Sequence, residues 1–122
     1  MIVWLASYPK SGNTWIRIFL STLLYSKEKR RVDINKEHLK QFPLKKHFNG
    51  LIDNFLELDE IAKNSIAAQE IINLEDGIKF YKTHSANWKN FEKNYYFTNS
   101  TNSLGAIHLV RDPRNIISSI LD

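Results

Sequence analysis

Ser7-Tyr8-Pro9-Lys10-Ser11-Gly12-Asn13-Thr14-Trp15 is the stretch on which the fold of this chain turns. Ahead of it lies Ile2-Val3-Trp4-Leu5-Ala6, a short apolar run that reads as a buried strand. Behind it, Ile16 to Tyr25 is apolar and long enough for a buried helix. A strand, a turn holding Pro and Gly, and then a helix make the setting of an anion cradle. The first N–H groups of a helix have no internal partner and carry the positive end of its dipole. A phosphate or sulfate placed there meets several donors at once. Lys10, Ser11 and Thr14 add a cation and two hydroxyls, and Gly12 lets the backbone approach an anion closely.

The whole chain has 122 residues, enough for one domain and one modest core. It holds no cysteine, so disulfides, thiolate metal sites and cysteine catalysis are excluded. The N-terminal apolar run lacks a basic region before it and is interrupted at Pro9, so it is neither a signal peptide nor a membrane span. The net charge of +4 favours an anionic ligand or surface. Much of that excess sits at Lys27 to Arg31 and Lys36 to Lys46, without the interleaved aromatics of a single-strand binding groove, so no nucleic-acid partner is expected.

Further along, Asp33 is placed to cap a short helix running to about Gln41, with Pro43 ending it. Residues 44–52 read as loop. Residues 55–74 space their apolar side chains by three and four, which predicts one or two amphipathic helices. His38 and His47 sit among lysines and are expected at the surface. No metal-ligand spacing appears, so no metal site is expected. Gly77 breaks the helical pattern before Ile78-Lys79-Phe80-Tyr81-Lys82, a second strand. Residues 87–103 are rich in asparagine and read as an exposed loop or lid, with short structure at Tyr95-Tyr96-Phe97. These aromatics either anchor the loop or line an acceptor pocket. Gly105 to Val110 is a third strand, and Asp112-Pro113 has the form of a cap followed by a first-turn proline. A helix through Ile116, Ile117 and Ile120 follows. The order implies an α/β fold with a parallel sheet and crossover helices.

Polar chemistry recurs at the ends of the three expected strands: Lys10 to Thr14, then Lys82 to His84, then Arg111. In open α/β sheets ligands bind outside the carboxyl ends of the strands, so all three groups are expected to face one crevice.

The loop departs from the nucleotide-triphosphate motif G-x-x-x-x-G-K-[ST]. Aligned on Gly12, Ser7 stands for the first glycine and Asn13 for the lysine, while the lysine lies ahead of the glycine at position 10. Tyr8-Pro9-Lys10-Ser11-Gly12-x-Thr14-Trp15 resembles the 5′-phosphosulfate loop of the cytosolic-type sulfotransferases, whose donor is 3′-phosphoadenosine 5′-phosphosulfate. Lys82-Thr83-His84 resembles the segment that supplies the catalytic base of that family. Val110-Arg111-Asp112-Pro113-Arg114-Asn115-Ile116-Ile117-Ser118-Ser119 resembles its 3′-phosphate segment.

The resemblance implies a P-loop-like fold, of which about three strands are present here. It implies sulfuryl transfer to an alcohol or amine on a small-molecule or glycan acceptor, without a metal, in the cytoplasm. His84 would take the proton from the acceptor, a task suited to a side chain that titrates near neutral pH. Lys10 and Lys82 would neutralise charge on the leaving phosphate and the transferring group. Lys10, Ser11, Gly12, Asn13 and Thr14 would surround the phosphosulfate, with asparagine standing where the family often has threonine. Trp15 would stack on adenine. Arg111 and Ser119 would bind the 3′-phosphate, with Ser118 the alternative to Ser119.

The family segment usually continues from the histidine with Leu-Pro, whereas here it continues with Ser85-Ala86. The pattern ends at Leu121-Asp122 inside an uncapped helix, so residues 1–122 are expected to be the N-terminal part of a single domain whose C-terminal half is absent. Two other readings stay open from the sequence, a P-loop kinase or hydrolase and a non-catalytic nucleotide-binding fragment.

Overall fold

Ile2 to Ser7 (β1) becomes the middle of a sheet because its side chains are apolar on both faces, as a strand flanked by layers requires. The computed structural model describes residues 1–26 and 39–121. After β1 come α1 (Asn13–Tyr25), β2 (Lys40–Gln41), a 3-10 turn at Lys45–Phe48, α2 (Leu58–Asn73) and β3 (Lys79–Thr83). A two-stranded antiparallel hairpin, β4 (Lys89–Asn90) and β5 (Tyr95–Tyr96), precedes β6 (Ser103–Leu109) and α3 (Pro113–Leu121). The main sheet has the order β2-β3-β1-β6 and is parallel throughout. This is the α/β architecture expected, with four strands in place of about three.

The register decides which side chains share a face. Trp4 lies opposite Tyr81 on β3 and Ala106 on β6; Leu5 lies opposite Lys82 and Ile107. Partners in a parallel ladder point the same way, so Trp4, Tyr81 and Ala106 face one side and Leu5, Lys82 and Ile107 the other. The core forms on the Trp4 side, where Ile2, Trp4, Phe42, Phe48, Ala68, Tyr81 and Phe97 pack together. Trp4 is its hub, with ring centroids 5.6 Å from Phe42, 6.3 Å from Tyr81 and 5.0 Å from Phe97, all tilted as aromatic quadrupoles favour. The Trp4 Nε1–H is satisfied by Ser103 Oγ at 2.7 Å.

Helix α2 covers this face. It buries Ser65, Ala68 and Gln69, with Ile61 and Ile72 extending the same stripe. The small side chains of Ser65 and Ala68 permit close approach to the sheet, while Asp59 and Glu60 sit favourably in the first turn. Gln69 is fully buried and ties the helix to the hairpin strand end: Nε2 donates to Phe97 O at 2.6 Å, and Oε1 accepts from Thr98 Oγ1 at 2.6 Å. Phe97 thus acts as an anchor, one of the two roles open for the aromatics of 87–103, and that segment is a hairpin packed on α2 rather than a free loop.

Three other expectations are corrected. The helix expected to run from Asp33 to about Gln41 lies partly outside the described residues, as do the 27–31 turn and His38. Its described end is instead strand β2, because Lys40 and Gln41 pair with Tyr81 and Lys82, and Phe42 N–H extends the ladder to Lys82 O at 2.9 Å. A nonlocal partner here outweighs local helix propensity. His47 is not a surface residue: it is half-buried, stacks on Phe42 at 5.3 Å and meets Tyr81 edge-on at 5.7 Å. Helix α1 is not buried all round. It buries Asn13 and Ser21, while Trp15, Phe19, Leu23 and Leu24 are each about half exposed or more. It lies against the sheet along one stripe only, which leaves its outer apolar residues uncovered. Among the described residues no helix is long and apolar enough to cross a membrane.

Candidate active site

The loop after β1 is shaped by two residues in the left-handed region. Ser11 N–H donates to Tyr8 O at 3.3 Å, closing a four-residue turn with Pro9 second and Lys10 third. Proline pre-sets the second position of a type II turn, and the third requires positive φ. Lys10 supplies it at φ 64°, a conformation that costs a residue with a Cβ about 1–2 kcal/mol. Gly12 follows at φ 94° and caps α1, with nothing within 4 Å of where a Cβ would stand. Because Gly12 brings no side chain to the cap, the first amides of α1 at Asn13, Thr14 and Trp15 start the helix without an internal partner.

Asn13 turns its side chain away from the loop. Its Nδ2 donates to Leu5 O at 3.0 Å and to Ser7 Oγ at 3.0 Å, so both amide hydrogens are used within β1. What Asn13 offers an anion is its backbone N–H. Ser11 is buried and its Oγ has no hydrogen-bond partner among the described residues.

β3 ends one residue before His84, whose Nδ1 lies 2.7 Å from Ser7 O. A carbonyl oxygen only accepts, so the proton between them belongs to Nδ1. In the neutral ring Nε2 is then the bare nitrogen, the one that can take up a proton. Sequence reasoning missed Ser7 in this role. The signal was the pleat: Ser7 is two residues beyond Leu5, and His84 two beyond its partner Lys82, so the two ends meet on one face.

Arg111 follows β6 and donates from Nη1 to Lys10 O at 2.8 Å. Its neighbour Asp112 is engaged elsewhere: Arg114 Nη2 contacts Asp112 Oδ2 at 2.6 Å and holds that carboxyl below the usual carboxylate range. Asp112 also caps α3, accepting from Arg114 N–H at 2.9 Å, with Pro113 at the first helical position.

These strand ends enclose one cleft of about 630 Å³. Lys10, Gly12, Asn13, Thr14 and Trp15 line it from the loop, Lys82 and His84 from β3, and Arg111 from β6, with Pro9 and Ile18 completing the wall. Among the described residues no acidic side chain lines it, so Lys10, Lys82, Arg111 and the first turn of α1 contribute a positive field. Trp15 is 69% exposed, its ring stacked at 5.8 Å on Phe19, and so presents a flat face to solvent. Ser119 is half-buried on α3, and neither it nor Ser11 is among the residues lining the cleft.

The volume suits a nucleotide-sized ligand. The arrangement can hold an anion at the start of α1, neutralise it with lysines from two elements, and offer a proton acceptor beside it. A family profile described as the sulfotransferase domain matches residues 2–122. No curated protein and no solved structure matches the chain. With the match extending over nearly its whole length and the loop, His84 and Arg111 drawn into one cleft, the chain belongs to the sulfotransferase family.

Proposed function

We propose that this transferase moves a sulfuryl group from 3′-phosphoadenosine 5′-phosphosulfate to an alcohol or amine of a small-molecule or glycan acceptor in the cytoplasm. The observation that supports this most is that Lys10, Lys82, His84 and Arg111, from three separate strand ends, line a single cleft. The donor supplies an activated sulfuryl group on a phosphate leaving group. Lys10 and the first-turn amides of Asn13 and Thr14 would hold its phosphosulfate end, as a helix N-terminus holds anions. Trp15 would stack on the base. Arg111 would take the 3′-phosphate through its planar fork, with Ser119 or Ser118 as the hydroxyl partner. The residues fit the ligand in charge, since among the described residues a multiply anionic molecule meets three cations and no carboxylate.

His84 Nε2 accepts the acceptor's proton as the acceptor oxygen or nitrogen bonds to sulfur, while Nδ1–H stays on Ser7 O. Lys10 and Lys82 face the charge that grows on the departing phosphate. Such preorganised charges stabilise the transition state without reorganising at the moment of reaction.

Calorimetric titration tests the reading with the donor's product, adenosine 3′,5′-bisphosphate. The wild-type chain should bind it, and Lys10→Ala should weaken binding by about tenfold, the loss of one charge-assisted contact of roughly 1.5 kcal/mol. Tight binding of ATP–Mg²⁺ with no binding of the bisphosphate would overturn it.

A further inference from the structure

We infer that Asn13 is a positioning residue for His84, acting through Ser7 to decide which imidazole nitrogen is left to accept a proton. The inference rests on the reading of His84 as the base. Asn13 is 5% exposed, and its amide orientation is settled by its surroundings. One partner, Leu5 O at 3.0 Å, can only accept, so the nitrogen and not the oxygen faces β1. The second hydrogen of that nitrogen is spent on Ser7 Oγ at 3.0 Å. Asn13 Oδ1 is meanwhile buried without a hydrogen-bond partner among the described residues. The side chain therefore tolerates an unpaired acceptor to make these two donations.

Ser7 presents two groups to the same imidazole nitrogen. Its carbonyl is 2.7 Å from His84 Nδ1, whereas its hydroxyl oxygen is 3.4 Å away. The two have opposite consequences. The carbonyl requires a proton on Nδ1 and leaves Nε2 free. A hydroxyl at full hydrogen-bond distance can instead donate to Nδ1, which places the ring proton on Nε2 and removes the base. By holding Ser7 Oγ at 3.0 Å, Asn13 keeps the hydroxyl at the longer distance from His84 and leaves the carbonyl as the dominant partner. The tautomer of His84 is thus set by a residue at the start of α1 that does not touch His84 itself.

The test reads the tautomer directly, by long-range ¹⁵N–¹H NMR of the imidazole in the ligand-free chain. The wild type should show His84 with Nδ1 protonated and Nε2 bare. Asn13→Ala should give a mixture of tautomers, with kcat lower by about ten- to a hundredfold, the range typical for losing an outer partner of a working histidine. Bisphosphate affinity should change less than kcat, because the contact that Asn13 offers an anion is its backbone N–H, which the variant keeps. Adding Ser7→Ala to Asn13→Ala removes the competing hydroxyl and should restore the Nδ1–H form. A purely structural role for Asn13 predicts no such rescue. If Asn13→Ala does not fold, Asn13→Ser should show the same mixture, since its hydroxyl is too short to hold both partners. An unchanged tautomer in the single variant, or a double variant that stays mixed, overturns the inference. A tautomer that follows the prediction in a chain that neither binds bisphosphate nor turns over upholds the coupling and overturns the sulfotransfer reading instead.

Discussion

Arg111 Nη1 donates to the backbone carbonyl of Lys10 at 2.8 Å, joining residues 101 positions apart. The bond clamps the loop where its backbone is least relaxed, since Lys10 sits at φ 64°. It also keeps the guanidinium over the cleft. Arg111→Ala should therefore weaken bisphosphate binding twice over, by removing a cation and by loosening the turn at Lys10. A loss of about thirtyfold or more is expected, against about tenfold for one charged contact of roughly 1.5 kcal/mol. Arg111→Lys should recover only part of it, because an ammonium lacks the planar fork. Calorimetry of both variants against wild type decides this; equal affinity in all three would remove Arg111 from the site.

His84→Ala should separate binding from turnover. Among the described residues the imidazole hydrogen-bonds Ser7 and makes no hydrogen bond to α1, so bisphosphate affinity should stay within about twofold of wild type. Turnover should fall by about 10²–10⁴, the usual worth of a general base. Steady-state kinetics beside a bisphosphate titration checks both numbers, and parallel loss of the two would give His84 a structural role.

His47 predicts how stability depends on pH. Its Nδ1 accepts from Leu44 N–H at 3.1 Å, and burial, followed by the fields of Lys46 and Lys40, pushes its pKa down to about 4. An unfolded histidine titrates near 6.5. Between these values the unfolded chain binds a proton that the folded chain refuses, so stability is complete above about pH 6.5 and declines toward about pH 4. The ring is only partly buried, so solvent screening leaves on the order of 1 kcal/mol of this dependence. Urea unfolding at pH 7 and pH 4.5 should show the loss, and His47→Gln, which keeps an acceptor but does not titrate, should reduce it.

Gln69 tests the seam between α2 and the hairpin. Gln69→Leu preserves volume but strands Phe97 O in the interior and leaves the Thr98 hydroxyl with Ser103 Oγ as its partner. A destabilisation of about 1–3 kcal/mol follows from leaving the carbonyl unpaired. Denaturant unfolding should show a lower midpoint. A loss below about 0.5 kcal/mol would mean that water reaches the seam.

Local conformational rules made part of this molecule legible. Pro9 and Gly12 restrict or free specific backbone angles, so the turn and the start of α1 were readable from residues 7–15 alone. Asp112-Pro113 announced α3 for the same reason, and the spacing of Ile61, Ala68 and Ile72 announced α2. Each of these signals acts within a few residues of itself. β2 did not announce itself, because Lys40 and Gln41 are strand only by virtue of Tyr81 and Lys82 about forty positions away.

The sequence by itself determined the strand–loop–helix cradle, the chemistry at three strand ends and the family to which they point. The tertiary structure alone decided how those residues are used. It drew Lys10, Lys82, His84 and Arg111 around one cleft, turned the Asn13 amide into β1, and set Ser7 O against His84 Nδ1. The reason is physical: a backbone angle is constrained by the residue that bears it, whereas a hydrogen-bond partner is supplied by whichever strand the sheet brings alongside.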